Sequence, residues 1–450
     1  MARAKKEAAL TPEERLQAAL VPDWEWPYKL PENWCWTRIT VITDILNGFA
    51  FKSQHYSSAG IRIIRITNVQ DGFIQDKKPV YYPLESQKEI TPFMLKDGDF
   101  LMSLTGNVGR VAIIDASFLP AALNQRVACL RIKSEDSVRK EYIFYFCLQK
   151  QFVSDCIKSA KGSAQLNMST EWLKEYPIPL PPLAEQQRIV DRIESLFAKL
   201  DKAKEKAQAV VDSFETRKAA ILHKAFTGEL TAKWREEHGV SIDNWKTTRF
   251  DSVAAIRSNL VDPAEYQSFP HIAPDNIEKK TGVLLEYHTI AEDGVTSGKH
   301  RFYSGQILYS KIRPYLSKAV VVDFDGLCSA DMYPIEAYQN ARCLWYYMLS
   351  DEFLLQASTA GSRSVLPKIN QKELSALTVH LPTNDREQEE IARILDELFD
   401  KEQQTKEAAE VVLDQIDLMK KSILARAFRG ELGTNDPSEE SAVELLKRVL

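Results

Sequence analysis

Apolar residues recur in heptads along two long stretches of the chain, and neither stretch contains a proline or a glycine. In the first stretch, steps of four and three residues alternate, which is the a/d pattern of a helix that packs against another helix. Because a helix with one apolar stripe must bury that stripe, the pattern predicts a coiled coil of two helices. The predicted seam consists of Ile189, Ile193, Leu196, Leu200, Val210, Phe214, Ile221, Ile391, Leu395, Leu398, Val412, Ile416, Met419 and Ile423.

The two helical stretches are copies of one another. A shift of 202 positions aligns residues 185–230 with residues 387–432 at 19 identities in 46 positions, without a gap. Each copy ends in a similar hexapeptide, AFTGEL or AFRGEL. Gly228 and Gly430 within these hexapeptides are expected to end the helices in the left-handed conformation. A period this long indicates duplicated modules, not a solenoid.

The two segments between the helical stretches contain short β-rich runs separated by polar turns, which is typical of mixed domains. They match weakly, for example GDFLMS at 98–103 with GQILYS at 305–310. We therefore predict an α+β fold with two mixed-β domains, each with short helices, separated by two long helices. The predicted divisions are an N-terminal extension (1–31), a first domain (32–182), a central helical region (183–244), a second domain (245–380), a distal helical region (381–432) and a C-terminal tail (433–450).

Composition and charge narrow the class of protein. The chain is 44% hydrophobic and 27% charged, which is ordinary for a soluble globular protein. It has no apolar run long enough for a membrane span, and its six cysteines without a CxxC pair predict the reduced thiols of a cytoplasmic protein. The net charge is −5, but residues 381–450 hold 10 basic and 17 acidic residues. The rest of the chain is near neutral, which leaves room for a local basic groove.

Polar loops follow matching strands in the two domains. Reading DNA requires Arg, Lys, Asn, Gln, Ser and Thr side chains that reach base edges and phosphates. The candidate DNA-binding residues are Thr105, Asn107, Arg110, Asn124, Gln125, Arg126, Lys161, Ser163, Gln165 and Asn167 in the first domain, and Lys311, Arg313, Tyr315, Lys318, Ser362, Arg363, Ser364 and Lys368 in the second. For each loop taken singly, a solvated turn is the alternative interpretation.

Motifs for catalysis or metal binding are missing from the sequence. Residues 104–110 contain two glycines but lack the GK[ST] ending of a phosphate-binding loop. The seven histidines are scattered, and no Cys/His group has zinc spacing. We predict no catalytic residue and no metal ligand on this chain.

Several stretches resemble the specificity subunit of type I restriction–modification systems. LPPLAEQQRI at 180–189 resembles the entry to that family's central conserved region, and AFTGELTAKWR at 225–235 resembles its end. Residues 381–432 are similar to the distal conserved region, and LPENW at 30–34 to the start of the first recognition domain. The second copy departs from the pattern, because LPTNDREQ at 381–388 lacks the double proline and Glu402 and Thr405 interrupt its seam. Either the helix pair is looser there or these two residues face a partner.

The resemblance implies a cytoplasmic, non-catalytic DNA reader. Two target-recognition domains each read one half of a bipartite site in double-stranded DNA, and two antiparallel helices set the spacing. The helices recruit two methyltransferase (M) subunits and, through them, the restriction/translocase (R) subunits. S-adenosylmethionine, ATP and Mg are expected on those partner subunits, and no cofactor on this chain. The alternatives are a coiled-coil scaffold whose globular domains bind proteins, and an enzyme with an unrecognised site.

Overall fold

The computed structural model describes residues 11–163, 165–360 and 367–450. The chain divides into two compact units. The first unit comprises Met1–Lys206 together with Val412–Leu450, and the second unit comprises Ala207–Val411. Each unit therefore contains part of both copies of the duplicated helix.

Short helices and strands make up most of both units, and two helical stretches are long. The helices are α1 Pro12–Ala19, α2 Ile39–Ile42, α3 Gln87–Ile90, α4 Lys140–Cys147, α5 Lys150–Ser159, α6 Thr170–Lys174, α7 Leu183–Asp212, α8 Phe214–Phe226, α9 Ala232–His238, α10 Ala341–Met348, α11 Asp351–Ala360, α12 Gln371–Ala376, α13 Asp385–Ala427 and α14 Ala442–Val449. The strands are β1 Cys35–Arg38, β2 Thr43–Asn47, β3 Ile61–Ile64, β4 Tyr81–Tyr82, β5 Phe100–Ser103, β6 Val111–Ile113, β7 Ala121–Leu123, β8 Val127–Ile132, β9 Pro177–Leu180, β10 Trp245–Arg249, β11 Ala254–Ile256, β12 Leu260–Val261, β13 Pro270–Ile272, β14 His288–Thr289, β15 Lys299–Phe302, β16 Ile307–Ser310, β17 Ala319–Val321, β18 Gly326–Cys328, β19 Met332–Ala337 and β20 Thr378–Pro382.

The two units share one strand topology. The first unit has an antiparallel sheet in the order β2-β8-β5-β6, and the second unit repeats it as β11-β19-β16-β17. A smaller sheet joins β3 to β7 in parallel, and its counterpart joins β13 to β18 in parallel. The second unit adds β12 and β15 to that smaller sheet. The weak sequence match between the two domains therefore reflects a repeated fold.

A two-stranded ribbon precedes each long helix. In the first unit β1 pairs antiparallel with β9, and Cys35 lies opposite Leu180. In the second unit β10 pairs antiparallel with β20, and Trp245 lies opposite Pro382. The inward side chains of both ribbons are buried in the main core of their unit. Each ribbon thus ties a mixed-β domain to the start of a long helix.

The duplicated helices pack antiparallel in both units. In the first unit, Lys204 of α7 forms an ion pair with Asp417 of α13 at 3.0 Å, and Asp201 pairs with Lys420. Residue numbers rise along one helix while they fall along the other, so the two helices run in opposite directions. The predicted α+β class with an antiparallel helix pair is confirmed.

The helix pair of the second unit contains a polar layer. Arg217 of α8 forms a 2.7 Å ion pair with Glu402 of α13, and both side chains are half-buried. The Lys406 ammonium lies 4.9 Å from the centre of the Phe214 ring. Thr405 is exposed and donates its hydroxyl to the Lys401 carbonyl. Glu402 therefore faces the other helix, and Thr405 faces outward.

The prediction of the seam is wrong at two residues, because their side chains are exposed. Val412 and Met419 are 41% and 50% exposed, whereas Leu413 and Lys420 lie in the helix pair instead. After Ala409 the observed seam continues at residues 413, 416, 420 and 423. The predicted seam continued at residues 412, 416, 419 and 423. The buried or half-buried members are Ile189, Ile193, Leu196, Leu200, Val210, Phe214, Ile221, Ile391, Leu395, Leu398, Ile416 and Ile423.

Lysines occupy seam positions because their aliphatic stems can pack while the charged end finds a partner. The Lys420 ammonium lies 4.9 Å from the centre of the Phe197 ring in the first unit. The Lys218 ammonium lies 5.4 Å from the centre of the Phe399 ring in the second unit. Both lysines and both phenylalanines coincide under the 202-residue shift, so one cross-helix pair occurs twice. Burial lowers the pKa of Lys218 to about 8.

The first long helix is interrupted once, where the sequence predicts no break. Ser213 separates α7 from α8, and its hydroxyl donates to the Ala209 carbonyl at 2.6 Å. A serine that bonds the preceding turn competes with the helical hydrogen bonds and bends the helix. Gln415 takes the equivalent place in the second copy, where α13 is continuous over 43 residues.

A buried glutamate at the start of each long helix is bonded to the segment that follows the end of the other helix. In the second unit the Glu387 carboxylate accepts hydrogen bonds from Thr231, Arg235 and Trp245 at 2.8, 2.8 and 3.0 Å. Thr231 directly follows the AFTGEL hexapeptide. The carboxylate therefore joins the beginning of α13 to the end of the first copy.

The first unit repeats this contact with the copies exchanged. The Glu185 carboxylate near the start of α7 accepts hydrogen bonds from Thr434 at 2.7 Å and from Arg188 at 2.8 Å. Arg188 also binds Glu439 of the C-terminal tail. Burial raises the pKa of Glu185, and the hydrogen bonds from Thr434 and Arg188 oppose that rise. The C-terminal tail thus binds the glutamate at the start of α7 in the way that residues 231–235 bind the glutamate at the start of α13.

The glycine of each hexapeptide adopts a left-handed backbone, as predicted. The φ angles of Gly228 and Gly430 are +81° and +73°. A side chain at residue 430 would also approach the Pro31 ring to 2.4 Å. Close packing and backbone conformation both require glycine there.

The corrected seam predicts different effects at two neighbouring positions. Ile416→Ala removes a side chain that is 3% exposed and should lower the free energy of unfolding by about 2–5 kcal/mol. Met419→Ala, at the exposed position, should change it by no more than about 0.5 kcal/mol. Chemical denaturation of the full chain measures both, and equal losses would restore the predicted seam.

Candidate nucleic-acid interface

Three predicted polar clusters of the first domain lie side by side. Residues 104–110 connect β5 to β6, residues 124–126 connect β7 to β8, and residues 161–167 lie between α5 and α6. The Leu104 amide donates to the Arg126 carbonyl at 3.0 Å. Backbone hydrogen bonds therefore join the first cluster to the second.

The first cluster is also bonded to the third. The Gly106 amide donates to the Leu166 carbonyl at 2.9 Å, and the Thr105 hydroxyl donates to Asn167 Oδ1 at 2.7 Å. Thr105 is only 5% exposed. The prediction that Thr105 contacts DNA is therefore corrected, because its hydroxyl is buried and positions Asn167.

Arg110 binds a hairpin that the sequence analysis did not single out. Its guanidinium donates to Gln70 Oε1 at 3.0 Å and lies 3.4 Å from the Asp71 carboxylate. Val69 and Ile74 pair across this hairpin. The polar run at residues 70–71, directly after an apolar position, is the signal that could have identified it.

The other candidates of the first domain are mostly exposed. Asn124 is half-buried and accepts the Arg126 amide hydrogen, which holds the turn. Arg126 has no acidic partner among the residues that the structure describes. Its guanidinium is therefore free to bind an anion or a base edge. The exposed candidates are Asn107, Gln125, Arg126, Lys161, Ser163, Gln165 and Asn167.

A cavity of about 340 Å³ lies beside the Arg126 turn. Residues 124–126 line one side of it, and Tyr56, Arg65 and Thr67 line another. Arg65 donates to the Lys78 carbonyl at 3.0 Å, which holds its side chain in place. Arg65 follows the apolar run of β3, but Tyr56 and Thr67 follow no such run, so the sequence gives no common signal for these three residues.

The second domain brings its loops together in the same way. The Lys311 amide donates to the Asp331 carbonyl at 3.0 Å, and the Arg313 amide donates to the Pro367 carbonyl at 2.7 Å. Ile312 also pairs with Lys368. The turn at residues 329–331 thus takes the place of residues 124–126 in the first domain. The predicted residues Ser362, Arg363 and Ser364 lie outside the described part of the chain.

The predicted lysines of the second domain have acidic neighbours. Lys368 lies 3.1 Å from the Asp331 carboxylate, and Lys311 lies 3.9 Å from it. Lys318 lies 3.6 Å from Asp275 and donates to a backbone carbonyl at 2.7 Å. Asp331 is not among the predicted residues, because an acidic side chain was not expected at a DNA-contacting position. These lysines are partly neutralised, unlike Arg126.

The two domains therefore carry opposite charges at one equivalent position. Arg126 ends the turn in the first domain, and Asp331 ends it in the second. Tyr315 and Arg313 on the neighbouring loop are exposed. An arginine donates to guanine, whereas a carboxylate accepts from the cytosine amino group. The two turns therefore present different hydrogen-bonding groups.

Over residues 11–163, 165–360 and 367–450, no group of three or more His, Cys, Asp or Glu side chains could hold a metal ion. All six cysteines are buried and unpaired. Among the described helices, none is long and apolar enough to cross a membrane.

The chain is similar to known specificity proteins along most of its length. The family model described as type I restriction modification DNA specificity domain matches residues 31–210 and 242–412. The chain is 36% identical over 341 residues to the type I restriction enzyme EcoDI specificity subunit of Escherichia coli, which covers 69% of this chain and 76% of that protein. It is 27% identical over 451 residues to the EcoBI specificity subunit of Escherichia coli, covering 92% and 91%.

Two solved structures share the fold. The HsdS subunit from Thermoanaerobacter tengcongensis has a TM-score of 0.60 at 18% identity, covering 91% of this chain and 100% of its own. A chain from a structure of complex assembly and conformational transition of the type I R-M system has a TM-score of 0.67 at 18% identity, covering 90% and 100%. At this identity the likeness concerns the fold alone.

The hydrogen bond from the Thr105 hydroxyl to Asn167 predicts a structural role for Thr105. Thr105→Val keeps the volume and removes the buried hydroxyl donor, so it should lower the free energy of unfolding by about 0.5–1.5 kcal/mol. Asn107→Ala, an exposed change in the same loop, should stay within about 0.5 kcal/mol. Urea denaturation compares the two variants, and a neutral Thr105→Val would contradict the assignment.

Proposed function

Because the chain belongs to the type I restriction–modification DNA specificity family, we propose that it selects the DNA sequence on which such a system acts. Each domain reads one half of a bipartite site in double-stranded DNA. The observation that carries this proposal is one strand topology, built twice, with chemically different polar surfaces. A reader of two unlike half-sites needs one scaffold and two sets of side chains.

The chemistry of the equivalent turns supports different half-sites. The exposed Arg126 guanidinium can donate two hydrogen bonds to guanine, the commonest specific contact in a major groove. Asp331 can accept a hydrogen bond from the cytosine amino group while Lys311 and Lys368 offset its repulsion of phosphate. Most other contacts to DNA go to phosphates and fix orientation without reading sequence.

The helix pair is proposed to set the spacing between half-sites and to recruit partners. Two methyltransferase subunits bind the conserved helical regions, and restriction/translocase subunits join through them. The repeated cross-helix contacts support this arrangement, because two equivalent partners require two equivalent surfaces. S-adenosylmethionine, ATP and Mg belong to those partners, so this chain is proposed to be non-catalytic and to work in the cytoplasm.

The direct test of the proposal is the pattern of DNA methylation. The chain is co-expressed with methyltransferase subunits of its system in a host that lacks other adenine methylation, and N6-methyladenine is mapped across the host genome. We expect methylation within one two-part sequence with a constant spacer. Methylation without sequence preference, or identical mapping when this chain is omitted, would refute the proposal.

Substitutions in the two equivalent turns should change one half-site each. Arg126→Ala should weaken binding of the cognate duplex by about 1–3 kcal/mol and relax one half of the methylated sequence. Asp331→Asn serves as the matched variant and should alter only the other half. Competition binding at constant salt, with duplexes altered in either half, measures both effects. An equal loss for both halves in either variant would contradict separate reading.

A further inference from the structure

Left-handed backbones at non-glycine residues are concentrated at one place in the second unit. Among the described residues, only Lys280, Arg313 and Ser317 combine a side chain with a positive φ, at +62°, +48° and +46°. A side chain in this region brings its Cβ close to the following carbonyl oxygen, so glycine is the residue expected there. Glycine would relieve this backbone strain, yet all three positions carry a side chain.

The three strained residues belong to two loops that are bonded to each other. The Lys280 amide donates to the carbonyls of Leu316 and Ser317 at 3.1 and 3.2 Å. The buried Lys218 ammonium donates to the Lys280 carbonyl at 2.8 Å, which anchors the loop to α8. The surrounding structure thus holds the unfavourable conformation in place, as strained functional sites require.

The first domain shows what the same loop looks like without strain. The Arg313 amide donates to the Pro367 carbonyl, as the Gly106 amide donates to the Leu166 carbonyl. Arg313 therefore takes the place of Gly106, whose φ is +74°. At this position of the shared loop, the first domain has a glycine and the second domain has an arginine.

The same comparison holds at the end of the loop. Ser310 bonds to the Lys318 carbonyl as Ser103 bonds to the Arg110 carbonyl. The residue before each of these carbonyls is therefore equivalent. It is Ser317 in the second domain, and in the first domain it is a glycine with φ +81°.

The two charged residues with strained backbones differ from nearby lysines in their ion pairs. Arg313 and Lys280 are exposed, and neither has an acidic partner among the residues that the structure describes. Lys311, Lys318 and Lys368 on the same surface all lie within 4 Å of an aspartate. Arg313 and Lys280 are therefore two cations on the strained loops that remain available to an anionic ligand.

We propose that Arg313 reads a base in the half-site of the second domain, that Lys280 binds an adjacent phosphate, and that the left-handed backbone is retained because it directs Arg313 outward. The proposal rests on the proposed function and adds Lys280, which the sequence analysis did not select. Ser317 is 3% exposed, so its backbone is strained but its side chain is too buried to contact a ligand. It is therefore a matched control within the same loop.

The test uses the full chain co-expressed with its methyltransferase subunits. Arg313→Gly and Ser317→Gly both remove strain, so each should leave the Tm unchanged or raise it by about 2–4 °C. Arg313→Gly should weaken binding to the cognate duplex about 5- to 150-fold, whereas Ser317→Gly should bind it as the unsubstituted chain does. Arg313→Asn, which tolerates the left-handed region, should repeat the loss of binding with a stiffer loop.

Lys280→Gln separates phosphate binding from base reading. It should weaken cognate and unrelated duplexes alike and reduce the salt dependence, as the slope of log K against log salt, by about 0.9. Full cognate binding by Arg313→Gly, or an equal loss in Ser317→Gly, would overturn the inference for Arg313. An unchanged salt slope would overturn it for Lys280. Failure of the proposed function itself is distinguishable, because the unsubstituted chain would then show no sequence preference.

Discussion

A buried carboxylate at the beginning of each long helix is the contact on which each unit depends. Glu387 is bonded by Thr231 and Arg235, and Glu185 by Thr434 and Arg188. A carboxylate buried in this way is stable only when cations and hydroxyl groups satisfy it. Thr231, Arg235 and Thr434 come from the segment after the opposite helix, whereas Arg188 lies on the same helix as Glu185. Neither copy of the duplication therefore completes a unit alone.

This reciprocity explains which residues the two copies share. Phe197 and Lys420 form one cross-helix pair, and Phe399 and Lys218 form the other. Each pair takes its phenylalanine from one copy and its lysine from the other. Both copies must therefore keep both residue types, even though the domains between them differ. Identity along the helices therefore follows from packing.

The loops show how one scaffold supports two chemistries. Backbone hydrogen bonds hold the equivalent loops in the same relation in both domains, and the side chains on them are then free to differ. Arg126 and Asp331 occupy one such position with opposite charge, and Gly106 and Arg313 occupy another. A position whose backbone is held by amide–carbonyl bonds accepts any side chain that its φ angle and surroundings allow.

The sequence alone determined the duplication, the α+β class and the two long helices, because heptads and repeats are local patterns in the order of residues. It also located the loops at residues 104–110 and 311–318. Only the tertiary structure decided that the seam passes through Lys420 instead of Met419, that Thr105 is buried, and that Asp331 joins the polar surface. Each of these depends on what another part of the chain places nearby. A lysine stem over a phenylalanine ring or a carboxylate between two lysines has no signature in hydrophobic periodicity, since the partners are far apart in sequence.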